Sequence, residues 1–171
     1  QGLRAGGTKV IADVVINHRG NKSSWCDFYE DDFTFLDGGK FQLTEEHICS
    51  GDECFTDKKS ACYGGTLRGA ADTGTNDSGA RDLDHTSAYV QSWAKAYLKW
   101  LMGNMKYEGF RYDMTRGYNG KYLSMYNQAA QPYISVSEFW EGIGQQVNHL
   151  KAAEYNTMIF DFPLKYTLGD A

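Results

Sequence analysis

Four short apolar runs punctuate this chain, and helical spacing returns between the later ones. Val10-Ile11-Ala12-Asp13-Val14-Val15-Ile16 is β-branched, has a strand's length and is apolar on both faces, as strands of a parallel sheet are. Residues 109–114, 133–139 and 157–162 read as three further strands. After Asp84-His85-Thr86-Ser87, Tyr89, Trp93, Tyr97 and Leu101 recur every four residues, with Val90 and Trp100 widening the stripe. Thr86 or Asp84 is the expected N-cap of that helix, and Gly103 or Asn104 its stop. A shorter helix opens at Asn119-Gly120 and runs to about Ala130, with Tyr122, Met125 and Tyr126 on one side, and another covers 143–153. Strand and helix in alternation predict an α/β fold of parallel βα units.

The stretch from about 20 to 84 does not fit this rhythm. It is rich in glycine, holds all four cysteines and has no sustained helical period. Loops much above 12–15 residues are uncommon in compact domains, so the stretch reads as a small inserted domain. The expected division is therefore 1–19, a strand and its approach; 20–84, the insert; and 85–171, the remaining βα units.

Composition narrows the function classes. With 171 residues, 42% apolar and 23% charged positions and only 2 Pro, the chain is neither disordered nor a low-complexity linker. A domain of this length buries roughly 70% of its unfolded surface. The net charge of -5 makes nucleic acid and anionic membrane poor partners. No apolar run approaches the roughly 18 residues of a membrane span. Aromatics reach 15%, with Tyr the most frequent, and their faces suit both core packing and sugar rings. Cys26, Cys49, Cys54 and Cys62 allow three pairings and match no zinc-ribbon spacing; a local disulfide or two in an oxidising compartment is the expectation. The chain begins at Gln1 without a basic-to-apolar leader and stops at Ala171 in a helix-compatible stretch, as a mature secreted protein or a piece of a longer one would.

Three of the four strands finish in polar groups: Asn17-His18, Arg111-x-Asp113 and Glu138. Parallel βα folds gather their reactive groups at that carboxyl edge. Arg111, two residues from Asp113 on the same strand face, should hold that carboxylate ionised. Glu138, between Val136 and Phe139-Trp140, is expected to have a raised pKa and to stay protonated longer. One ionised and one protonated carboxyl equip a site for glycoside hydrolysis, with Asp113 as nucleophile or base and Glu138 as proton donor. Taken singly, strand-end acids are helix caps or solvated groups, and His18 a structural histidine. A dinuclear metal hydrolase using Asp13, His18, Asp113 and Glu138 is the rival at this point.

Asp13-Val14-Val15-Ile16-Asn17-His18, then Gly109-Phe110-Arg111-Tyr112-Asp113, then Glu138 before Phe139-Trp140 resemble three ordered signatures of the α-amylase family. Asp72-Thr73-Gly74 through Asp82-Leu83-Asp84-His85, His47-Ile48-Cys49, and the helix with Val90-Gln91 and Lys99-Trp100-Leu101 resemble its plant-type members. The resemblance implies a partial TIM barrel, about strands three to six, with a small irregular and β insert after the third strand. It implies Asp113 as nucleophile, Glu138 as acid/base, Arg111 orienting the nucleophile, His18 on the sugar at the cleavage point, and Arg116 and Trp140 on leaving-group sugars. It further implies a calcium ion held by side chains of Asn17, Asp72 and Asp82 and carbonyls of Thr75 and Gly117, oxygen donors that suit a hard cation. The partner implied is an α-glucan such as starch, acted on by a secreted enzyme that is monomeric at full length. The family's first two strands and its third catalytic Asp, on the seventh strand, have no counterpart here, so the isolated chain is expected to be inactive. A non-catalytic polysaccharide binder, a transglycosylase and an α-1,6 debranching enzyme stay open as alternatives.

Overall fold

The computed structural model describes residues 2–20, 22–24, 26–36, 38–75 and 79–169. Its strands are β1 (Ile11–Val14), β2 (His18–Arg19), β3 (Asp31–Asp32), β4 (Lys40–Phe41), β5 (Arg81–Asp82), β6 (Gly109–Tyr112), β7 (Ile134–Ser137) and β8 (Met158–Ile159). The α-helices are α1 (Gly2–Ala5), α2 (Glu53–Thr56), α3 (Ala88–Gly103), α4 (Gly120–Ala130), α5 (Ile143–Ala152) and α6 (Phe162–Gly169). Strands β1, β6, β7 and β8 form one wholly parallel sheet in that order. Among the described residues, no helix is long and apolar enough to cross a membrane.

One face of the sheet makes the core. Ala12 and Val14 of β1 and Phe110 and Tyr112 of β6 join Val90, Ala94, Leu98 and Leu101 of α3 and Tyr122, Leu123 and Tyr126 of α4 in a single buried cluster. The opposite face is open: Ile11 and Val15 are each 40% exposed, so β1 buries alternate residues rather than both faces. Gly109 begins β6 because a Cβ there would meet the Ile134 carbonyl oxygen of β7 at 2.4 Å. Helix α3 is capped by Ser87, whose hydroxyl accepts from the Val90 amide, rather than by Thr86 or Asp84. Asp84 is occupied instead with Thr86 and the Ala70 amide, which tie the helix entry to the insert.

Beyond Val14 the chain leaves the sheet and enters β2, which pairs antiparallel with β5. This two-residue ladder closes the base of segment 20–84, and β3 and β4 pair farther out. Asp52, wholly buried, fastens the interior: its carboxylate accepts from the Cys54 amide at the start of α2 and from the Asp82 amide of β5. Arg81 lies beside it, 3.6 Å from Asp52 and 3.0 Å from Glu53. Asp31 links the insert to the helices by pairing with Arg19 and accepting the Trp93 indole N–H at 2.8 Å.

Candidate active site

Strand register places the reactive groups. Asp13 of β1 stands opposite Arg111 of β6, and Tyr112 opposite Ser137 of β7. The ladder continues one residue past each strand: the Asp113 amide donates to the Val14 carbonyl and the Glu138 amide to the Tyr112 carbonyl, both at 2.9 Å. Asp113 and Glu138 are thereby fixed at the carboxyl ends of adjacent strands.

One guanidinium joins three carboxylates there. Arg111 Nη1 lies 2.7 Å from both Asp13 Oδ1 and Asp113 Oδ1, and Nη2 pairs with Glu138 Oε1. The other oxygen of Glu138 accepts from the Met114 amide at 3.1 Å. Met114 itself is held at φ 43°, a left-handed conformation uncommon for a non-glycine residue, next to the nucleophile candidate. The Glu138 carbonyl accepts from both the amide and the hydroxyl of Thr115, so the turn after β6 is stitched to the end of β7. The sequence suggests apolar surroundings for Glu138; its carboxylate instead faces the guanidinium and a backbone N–H, because sheet pairing turns it toward β6.

The remaining site candidates fall into two groups. Arg116 pairs with Glu141 at 3.3 Å and lies over the ring of Trp140, which is half exposed and meets Phe162 edge-on. His18 begins β2 opposite Asp82, and its Nδ1 accepts from the Asn17 side-chain amide at 3.3 Å.

Asn17 and Asp82, both almost wholly buried, are joined by a 3.0 Å hydrogen bond from the amide to the carboxylate. A Cβ on Gly117 would strike the Asn17 side-chain oxygen at 1.8 Å, and one on Gly74 would strike the Gly117 carbonyl carbon at 2.3 Å. The Thr75 amide donates to the Arg116 carbonyl at 3.1 Å. Asn17, Asp82 and the backbone at 74–75 and 116–117 thus converge from segments distant in the chain. Asp72 caps the turn leading in, accepting from the Gly74 amide, and burial pushes its carboxyl above the ordinary range. Burial, with smaller contributions from Asp72, Asp82, Asp84 and Asp52, pushes the Cys49 thiol up. Among the described residues, the one group of three or more His, Cys, Asp or Glu side chains close enough to share an ion is Cys26, Cys54 and Cys62.

Asp13, named above only for the rival metal hydrolase, shares Arg111, and one further residue, Asp161, lines a cavity of about 330 Å³ with Glu138, Phe160, Phe162 and Lys165. Both carried a usable signal, a polar residue in or after an otherwise apolar strand.

Parallel βα units with acids gathered at their carboxyl edge define the class as a TIM-barrel type α/β fold, here a four-stranded part of one. No family model matches the chain. Two curated relatives from Arabidopsis thaliana are similar in sequence. Alpha-amylase 3, chloroplastic, is 30% identical over 139 residues, 80% of this chain and 14% of that protein. Probable alpha-amylase 2 is 32% identical over 134 residues, 78% of this chain and 28% of that protein. In three dimensions the chain resembles an α-amylase from Malbranchea cinnamomea, with TM-score 0.62 and 19% identity over 96% of this chain and 32% of that one. It also resembles the α-amylase of Geobacillus thermoleovorans complexed with acarbose, with TM-score 0.61 and 17% identity over 94% and 32% of the two chains. The chain belongs to the α-amylase family, and it spans under a third of the length of the curated relatives it matches.

Proposed function

We propose that the full-length protein is a retaining endo-hydrolase of α-1,4-glucosidic bonds in starch or glycogen. The observation that carries this reading is the single Arg111 guanidinium gripping Asp113 with one nitrogen and Glu138 with the other. Sharing one guanidinium brings the two carboxylates close together, compatible with the roughly 5 Å of retaining enzymes. Asp113, paired with Arg111, attacks the anomeric carbon. Glu138 is the proton donor to the glycosidic oxygen and then the base that takes a proton from the water that hydrolyses the glycosyl intermediate. The substrate oxygen displaces the Arg111 contact of Glu138 and leaves the guanidinium to Asp113. His18 contacts the sugar at the cleavage point, and Arg116 and the exposed Trp140 contact leaving-group sugars.

The residues at the junction fit calcium. Side-chain oxygens of Asn17, Asp72 and Asp82 and carbonyls of Thr75 and Gly117 are hard donors, and the close approach at Gly117 and Gly74 leaves no room for a Cβ. Calcium there would offset the acidic field and tie segment 20–84, a domain of its own in this reading, to the sheet. The cysteines favour an extracellular setting. The full-length protein is proposed to be a monomer. The chain alone is proposed to turn over little starch, since its sheet has two open edges and one exposed face. The paired carboxylates disfavour a purely binding role.

In the full-length protein, Glu138→Gln should lower kcat on starch by about 10² to 10⁴-fold with little change in KM. Unimpaired cleavage would overturn the assignment. Chelation should lower the melting temperature, because a ligand at 100 times its Kd contributes about 2.7 kcal/mol. An unchanged melt would remove calcium from the proposal.

A further inference from the structure

Where α4 meets α5, a cavity of about 300 Å³ opens, at the lower end of the sizes that hold small ligands. Gly120 lets the helices approach, since a Cβ on it would come within 2.7 Å of the His149 carbonyl oxygen. The lining includes Arg116, Tyr118, Asn119, Gln145, Asn148 and His149. Tyr118 and His149 are more than nine-tenths buried, and Tyr118 Oη and His149 Nε2 have no partner among the described residues. Buried polar atoms are paired almost without exception, so each calls for a partner that these residues do not supply.

The lining also says what that partner is. No described carboxylate lines the cavity, which disfavours a metal cation, and its one formal charge, on Arg116, is already opposed by Glu141. Burial pushes His149 down to about 4, so its ring is neutral at neutral pH. The Asn119 side-chain oxygen caps α4 by accepting the Lys121 amide, which leaves the NH2 group to a ligand. The side-chain amides of Gln145 and Asn148, both exposed, are committed to no described residue. A larger cavity, about 520 Å³, between α4 and the amino ends of β7 and β8 differs on this point. Its amides are spent inside the protein, Asn127 on Ser135 and the Asn156 carbonyl, Gln128 on Ser124 and Glu154. Uncommitted neutral amides beside a neutral imidazole suit a ligand of many hydroxyls and no charge. The His149 ring stacks on Phe139, which lines the same cavity and follows Glu138 in the chain.

We propose that this cavity is a further subsite for one glucosyl unit of an α-glucan, on the leaving-group side beyond Trp140 and Arg116. It rests on the leaving-group placing proposed above, and Arg116, which lies over Trp140 and also lines the cavity, joins the two. Gln145 and Asn148 hydrogen-bond sugar hydroxyls at the rim, and a hydroxyl reaching His149 supplies the partner its ring lacks.

The test is equilibrium binding of maltoheptaose to the full-length protein carrying Glu138→Gln, which keeps the probe intact during the titration. In that background, Gln145→Ala together with Asn148→Ala should weaken binding about tenfold, the scale of two neutral hydrogen bonds. The melting temperature without sugar should not move, because both side chains are exposed. His149→Phe keeps a ring against Phe139, removes the ring nitrogens and should weaken binding by about threefold or more. Unchanged affinity in the double variant would overturn the subsite and leave the buried atoms to water. The exposed pair decides the matter even where His149→Phe does not fold. Starch cleavage by the natural sequence is read separately. Cleavage with unaltered binding in the double variant removes the subsite and keeps the hydrolase, whereas weakened binding without cleavage keeps the subsite and removes hydrolysis.

Discussion

In the sheet of β1, β6, β7 and β8, Val14, Phe110 and Tyr112 are sealed from solvent beneath α3 and α4, and regular hydrogen bonding sets every register. Segment 20–84 adds Phe28, Phe33, Leu43, Ile48 and Phe55 to the same buried cluster and is further fastened at points: Asp52 on two amides and near Arg81, Asp31 on Arg19 and Trp93, and Cys26 against Cys54 and Cys62. The polar centre lies where the two meet, with Arg111, Asp113 and Glu138 on the sheet side and Asn17 and Asp82 at the seam. Repeated backbone pairing positions chemistry without help from individual side chains, whereas point fastening makes position depend on each fastener.

That contrast can be broken at several places in the full-length protein. Phe110→Ala should be the most damaging to stability, about 3–5 kcal/mol, and should lower the denaturant midpoint of the whole domain. Acid should act mainly on the helices packed around the sheet. Burial pushes His85 and His149 down to about 4, so both are neutral when folded at neutral pH. Their unfolded forms take protons first, and the stability they contribute is whole above about 6.5 and falls as pH drops from there toward 4, by a few kcal/mol. Melting temperatures measured between pH 7.5 and 4.5 should fall accordingly, and a flat profile would contradict the neutral assignment. Asp52→Ala should cost about 2 kcal/mol by leaving the Cys54 and Asp82 amides buried without their acceptor. Its signature is local: limited proteolysis should cut within 20–84 before the sheet melts. Gly117→Ala should displace Asn17 and reduce the stabilisation by added calcium, read as a smaller shift in melting temperature. Lys40→Ala should change stability by no more than about 0.5 kcal/mol, because its pairs with Glu30 and Asp32 are exposed.

Much of the sheet was legible because its signals are local. The apolar runs located all four strands, although β1 is only Ile11–Val14. Val15 and Ile16 look like strand residues by composition, but the chain must turn there to reach the β2–β5 ladder. The N-cap of α3 shifted to Ser87 because Asp84, the stronger candidate by residue type, is engaged by Ala70 from the insert. In the insert no periodicity existed to read: β3 and β4 are two-residue strands, α2 is a single turn, and β5 is set by its distant partner β2.

The sequence by itself determined the order of strands and helices, their parallel arrangement and the placing of Arg111 and Asp113 on one strand face. Those properties follow from backbone repeats of 2 and 3.6 residues, which any short window displays. Tertiary structure decided which groups meet: Glu138 with Arg111 through the pairing of β6 with β7, Asn17 with Asp82 and Gly117 at the seam, and Cys26 with Cys54 and Cys62. Such meetings join residues 25 to 100 positions apart. They are selected by how the whole core packs and by loop-closure entropy, and neither is written in a local pattern.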